Sequence, residues 1–182
     1  MDLPFYTIGH SNRSIDAFAE LLRDAGVELV VDIRKMPMSR ANPQFNGDAL
    51  PAALAPFRIA YEPIAALGGL RGKTHGLPAD VNGFWSNRSF HNYADYALSA
   101  PFHAGFERLL ADGSQRCSAI VCAEAVWWRC HRRIVTDYLI VAGKRVFHIL
   151  GNGHVEPARL TPGAVVHDDG TITYPATERS DP

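Results

Sequence analysis

The chain has 182 residues, 47% of them apolar and 20% charged, and its 18 basic and 19 acidic side chains leave a net charge of −1. A chain of that size forms one domain with a core that hides about 70% of the unfolded surface. The even charge balance excludes a chain-wide basic face for nucleic acid, while local patches stay open.

The start, Met1-Asp2-Leu3-Pro4, has neither the basic nor the apolar region of a secretory signal. The cysteines are odd in number (Cys117, Cys122 and Cys130), and no apolar run approaches the roughly 18 residues of a membrane span. A reducing cytoplasm is the expected location, with no membrane partner.

Phe5-Tyr6-Thr7-Ile8 reads as a strand broken by Gly9-His10-Ser11-Asn12-Arg13. Ser14 then caps an amphipathic helix over 15–25, with Ile15, Phe18, Leu21 and Leu22 on one face and Gly26 as the stop. Glu28 to Ile33 is the next strand, which makes 5–33 a βαβ unit with a right-handed crossover. From Arg34 to Asn46 the chain is irregular, polar and basic. Segments of this kind divide between solvated loops and binding loops. Asp48 is placed as the cap of a short helix over 49–54, and 59–62 as a third strand. Leu67-Gly68-Gly69-Leu70-Arg71-Gly72-Lys73 is glycine-rich but lacks P-loop spacing. Residues 72–92 have no period and read as an excursion over the sheet edge, a possible lid. Helical spacing returns at 93–98 and, after a break at Pro101, at 102–110.

The most informative stretch is Ser118 to Leu150. Ala119-Ile120-Val121-Cys122 is a buried strand, Ile134 to Val141 a helix closed by Ala142-Gly143-Lys144, and Arg145 to Leu150 a further strand. This second βαβ unit puts Cys122, Glu124, Cys130, His131 and Arg132 between a strand's carboxyl end and a helix's amino end, where open parallel sheets bind ligands. A strand pair around Asp168-Asp169-Gly170 is expected in the tail, and 175–182 read as disordered. The fold class is therefore α/β: a three-layer sandwich around a mostly parallel central sheet, one domain over 1–174.

Three strands thus end in polar groups: His10, Ser11 and Asn12 on the first, Asp32 and Arg34 on the second, Cys122 and Glu124 on the Ser118 strand. If these strands are neighbours, the groups converge. Cys122 reads either as a nucleophile or as a small core residue, because the loop after it holds Glu124, Trp127 and Trp128 where an anion cradle would have small residues. Cys130 lies near a helix start beside His131 and arginines, which favours thiolate; the other reading is a core-facing turn cysteine. Arg132 either binds a phosphate or carboxylate or pairs internally with Glu124 or Asp32. The eight-residue separation of Cys122 and Cys130 is not a zinc signature, so no metal is assigned. A Ser11-His10-Asp32 triad has the wrong local geometry, and no G-x-S-x-G elbow is present.

Together, Thr7-Ile8-Gly9-His10-Ser11, Val31-Asp32-Ile33-Arg34 with Pro37 and Ser39, Asn42-Pro43-Gln44-Phe45, Leu67-Gly68-Gly69, and Cys122-Ala123-Glu124 with Trp128 and Cys130-His131-Arg132-Arg133 resemble the DUF488 family over about 5–150. The resemblance implies an α/β fold and a polar cluster built from these motifs, and supplies no reaction. Two functions remain open beside a third reading, in which the cluster is an internal salt-bridge and hydrogen-bond network without a ligand. One is an enzyme on a phosphorylated or nucleotide-like ligand, with His10, Asp32, Glu124, Cys130 and His131 in catalytic roles, and Ser11, Asn12, Arg34, Ser39, Arg40, Cys122, Trp128 and Arg132 binding the ligand. The other is a nucleic-acid-binding module using Arg34, Arg40, Arg71, Lys73 and Arg88 with Trp85, Trp127 and Trp128 as stacking platforms. Cofactor and oligomeric state are left unknown.

Overall fold

The computed structural model describes residues 2–177, so that 178–182 of the expected disordered tail lie outside the described residues. The chain runs β1 (Phe5–Gly9), α1 (Ile15–Asp24), β2 (Leu29–Asp32), α2 (Leu50–Leu54), β3 (Ala60–Pro63), α3 (Arg88–Tyr96), α4 (Ala100–Gln115), β4 (Ser118–Cys122), α5 (Arg132–Val141), β5 (Val146–Gly151), β6 (His154–Pro157), β7 (Val165–Val166) and β8 (Ile172–Thr173). The six-stranded sheet has the order β3-β2-β4-β1-β5-β6, parallel except for β6, and β7 and β8 form a separate antiparallel pair.

Period-two alternation explains the layers. Leu29, Val31 and Ile120 face one core with α3, α4 and α5, while Val30, Ala119 and Val121 face the other with α1 and α2. Each central strand therefore has two buried faces, and the three-layer α/β sandwich follows.

β4 is inserted between β1 and β2. The β1-to-β2 and β4-to-β5 connections thus run in opposite directions, and connections of one hand must then cross on opposite faces, α1 below and α5 above. The insertion also brings all three polar-ended strands side by side. Gly9 is level with Cys122 and Asp32 with Val121, so their carboxyl ends share one rim.

The local signals hold where a side chain caps or a period repeats. Ser14 Oγ accepts from the Ala17 N–H at 3.2 Å, and Gly26 takes φ of +71° just past α1. Two details differ from expectation. Asp48 makes no cap, since α2 starts at Leu50 with Pro51 in its first turn and Ala49 before it. α3 starts at Arg88, five residues earlier than the apolar period indicates, because Asn87 accepts from the Ser89 and Phe90 N–H groups. β6 is an addition, an exposed edge strand with no apolar run to reveal it.

Gly113 lies inside α4 against the ring of Phe5, which is 1% exposed and cannot swing away, so an added methyl would collide with it. Removing a helical glycine gains about 1 kcal/mol, whereas forcing a methyl into a packed core costs about 1–3 kcal/mol. The second effect is the larger here, and Gly113→Ala should lower the urea midpoint; a raised midpoint would show that Phe5 has room to move.

His148, buried on β5, sets a pH dependence. Its Nδ1 lies 2.7 Å from Thr7 Oγ1, its ring stacks on Trp127 at 4.3 Å, and Arg132 and Glu156 are the charged groups facing it. Burial first, and Arg132 second, hold its pKa down to about 4. An unfolded histidine titrates near 6.5, so between those values only the unfolded chain takes the proton. Stability is complete above about pH 6.5 and falls as the pH drops towards 4. His148→Gln should flatten this slope in denaturation curves at pH 7 and pH 5. An equal slope in variant and parent would assign the acid sensitivity to another group.

Candidate functional site

The rim begins with a backbone constraint. The chain after β4 passes directly over the end of β1, where a side chain on Gly9 would collide with the Glu124 carbonyl. Only glycine permits that approach. The ladder continues beyond the strands, with the His10 N–H donating to Cys122 O at 2.9 Å and Ser11 N–H to Ala123 O at 3.0 Å.

Below the rim lies a buried ion pair. Arg34 donates to both carboxylate oxygens of Asp32, from Nε at 2.8 Å and from Nη2 at 2.6 Å, and Nη2 also donates to Phe45 O at 2.7 Å. Tyr61 Oη donates to Asp32 Oδ2 at 2.7 Å. Arg34 Nη1 lies 3.2 Å from His10 Nε2, and His10 Nδ1 lies 2.7 Å from the Ser11 carbonyl. A guanidinium only donates and a carbonyl only accepts, so His10 carries its proton on Nδ1 and accepts at Nε2. Burial, with Arg34 adding, lowers its pKa. Both nitrogens are committed, and the ring stacks on Phe45 at 4.3 Å. His10 and Arg34 therefore build a wall.

Two thiols and an imidazole stand beside this wall. Cys122 ends β4, and Cys130 and His131 form the turn into α5. His131 Nε2 is 2.8 Å from the Ile33 carbonyl and must donate to it. In the neutral ring the other nitrogen, Nδ1, carries the lone pair, and it lies 3.7 Å from Cys130 Sγ and 3.9 Å from Cys122 Sγ. The ring is held by Tyr93 at 5.0 Å and by Gly69, where a Cβ would sit 3.0 Å from Nδ1. A hydrogen bond from Cys130, with help from His131, holds the Cys122 thiol far below its ordinary range despite burial. Burial, and then the bond to Cys122, push Cys130 up. The coupling thus favours the thiolate on Cys122, while at the helix terminus the Arg132 N–H donates to Cys130 Sγ at 3.4 Å.

These groups floor a cleft of about 310 Å³. Met36, Met38, Leu70 and Phe90 form its apolar wall, and Lys35 and Arg129 are its exposed cations. Of the residues singled out in the sequence, His10, Arg34, Ser39, Cys122, Glu124, Cys130 and His131 line it, and Asp32 lies beneath as the partner of Arg34.

Five residues do not line it. Ser11 turns away through a left-handed backbone (φ 50°) and takes Asn12 with it. Arg40 and Trp128 face solvent elsewhere. Arg132 is 1% exposed and makes no ion pair with Glu124 or Asp32; its Nη2 donates to Ala125 O at 3.4 Å, and Nε and Nη1 find no partner among the described residues. The first turn of α5 directs it inward, away from any ligand. Tyr61, Tyr93 and the apolar wall were not legible as site residues, because they sit on an edge strand, in a helix and in loops that carry no motif.

The fold and the site define an α/β protein with an open cleft at the carboxyl ends of parallel strands, floored by two thiols and an imidazole. The chain belongs to the family described as domain of unknown function DUF488, whose model matches residues 14–139, inside the 5–150 span over which the motifs resemble it. No curated protein and no solved structure matches the chain.

Breaking a buried ion pair from one side leaves a bare charge and costs about 3–5 kcal/mol. Arg34→Met and Asp32→Leu should each lose stability on that scale in urea denaturation, and the double variant should lose clearly less than their sum. Strict additivity would mean that the two groups do not support each other.

Proposed function

We propose that the protein is an enzyme that acts on a small phosphorylated or nucleotide-like ligand in this cleft. The observation that carries the reading is the union, in one cleft, of a paired-thiol and imidazole floor with an apolar wall and two unburied cations. The volume lies at the lower end of small-molecule sites, which are largely apolar with a few converging polar groups. A planar apolar moiety fits against Phe90, Met36 and Met38, and an anionic group meets Lys35 and Arg129 at the mouth. Cys122, Cys130 and His131 supply the chemistry. Glu124, exposed on the cleft and free of any ion pair among the described residues, supplies a general acid or base.

The nucleic-acid reading has less support. Trp85 is 7% exposed and stacks on Phe90 at 4.8 Å, and Trp127 stacks on His148, which leaves Trp128 as the one indole open to a base. A single-stranded chain needs successive platforms. No helix among the described residues is long and apolar enough to cross a membrane, and the three free thiols support a reducing cytoplasm.

Thermal-shift titration with nucleoside monophosphates, sugar phosphates and inorganic phosphate tests the reading. A ligand at a hundred times its dissociation constant adds about 2.7 kcal/mol, a rise of several degrees. Replacing both Lys35 and Arg129 by alanine should weaken the ligand that binds by at least about tenfold, since a hydrogen bond to a charged group contributes roughly 1.5–3 kcal/mol. No shift with any of these compounds, or a shift indifferent to the double variant, would overturn it.

A further inference from the structure

We infer that Cys122, Cys130 and His131 are the ligands of a zinc ion whose fourth position opens into the cleft. Their three donor atoms lie within 4.8 Å of one another, the one such set of three among the described residues. Tetrahedral zinc, with Zn–S of about 2.3 Å and Zn–N of about 2.0–2.1 Å, keeps two sulfurs about 3.8 Å apart and a sulfur and a nitrogen about 3.5 Å apart. The sulfur–nitrogen separations here, 3.7 and 3.9 Å, are within a few tenths of that. Both sulfurs face the one Nδ1. A cation between the three satisfies both sulfurs and the nitrogen together.

The tautomer fits the same reading. The Nε2 proton is held by the Ile33 carbonyl at 2.8 Å, which leaves Nδ1 to coordinate. A metal-bound histidine commonly donates its other N–H to a backbone carbonyl in this way, which fixes the ring and raises its basicity. Tyr93 and the close approach of Gly69 hold the imidazole still, so little rearrangement is needed on binding.

The donor set selects the metal. Two thiolates and an imidazole suit zinc and not magnesium, calcium or manganese. As the two Zn–S bonds form, the proton that the two sulfurs share goes to solvent, and two thiolates with Zn²⁺ leave a floor of zero net charge. The neighbouring cation Arg34 is already neutralised by Asp32. The eight-residue cysteine spacing, unlike a zinc knuckle, is met here because one ligand ends a strand and the other two begin a helix. All three line the cleft. Three protein ligands with one side open are the arrangement of catalytic zinc and not of closed structural sites. This inference takes its chemical meaning from the proposed function, but the metal site stands or falls by itself.

Titrating Co²⁺ into the full, reduced chain tests it. One equivalent should produce a sulfur-to-cobalt charge-transfer band in the near ultraviolet and strong tetrahedral d–d bands, both displaced by one equivalent of Zn²⁺. Zn²⁺ should also protect two thiols of the unaltered protein from iodoacetamide, a readout that needs no variant. Cys130→Ser and His131→Asn should weaken cobalt binding at least about tenfold, while Cys117→Ser, a change at the far end of β4, should leave it unchanged. Absence of the charge-transfer band, or full affinity in Cys122→Ser, would overturn the site. Inorganic phosphate added to the cobalt form separates the two readings. A shift of the d–d bands places an anion at the open position, whereas an intact cobalt spectrum that phosphate leaves unaltered keeps the metal and removes phosphate from its coordination sphere.

Discussion

The guanidinium of Arg34 ties together the ends of two strands and the loop that follows one of them. Its donors reach both oxygens of Asp32 at the end of β2, the Phe45 carbonyl in the loop that follows, and His10 Nε2 at the end of β1. A buried charge is tolerated only when it is paired and its hydrogen bonds are filled, and here the loop and the neighbouring strand complete what Asp32 begins. The consequence reaches the cleft. His10 is locked in one tautomer, the loop from 35 to 39 lies along one side, and Ile33 is left with its carbonyl turned to His131.

The fold was legible where the sequence carries a period or a cap. The strands 5–8, 28–33 and 118–122 are apolar runs with two buried faces, and Ser14 and Gly26 bracket α1 by ordinary capping chemistry. β6 was not legible, since His154-Val155-Glu156-Pro157 reaches the sheet by pairing its backbone at an edge and buries almost nothing. The order of the strands was not legible either. Only the expectation that polar ends converge pointed to neighbours, and the insertion of β4 between β1 and β2 is what makes them so.

The site was legible as a set of residue types at strand ends, but not as a set of directions. Ser11 and Arg132 have the chemistry of ligand binders and are turned away from the cleft, one by a left-handed backbone and the other by the first turn of a helix. Met36, Met38 and Leu70 are 68%, 75% and 84% exposed, and they give the cleft its apolar wall from loops that no period marks. Cys122 and Cys130 differ for the same reason: their proton sharing depends on which sulfur lies deeper and which accepts, and neither is written in their spacing.

The family match covers 14–139 and so includes Cys122, Cys130, His131, Asp32, Arg34 and Gly69, but not β1, β5 or β6. The two thiols and the imidazole of the floor thus lie inside the matched region, while β1, which pairs with β4, lies before it. That strand is not dispensable, because β1 separates β4 from β5 and its Gly9 admits the loop that carries Glu124 over the rim. A polypeptide ending at the matched residues would keep every donor of the cluster and the Ile33, Tyr93 and Gly69 contacts of His131, but lose the strand that pairs beside Cys122. The geometry of the cleft therefore belongs to the whole sheet, with the matched segment supplying the two thiols and the imidazole and β1 supplying the strand beside Cys122.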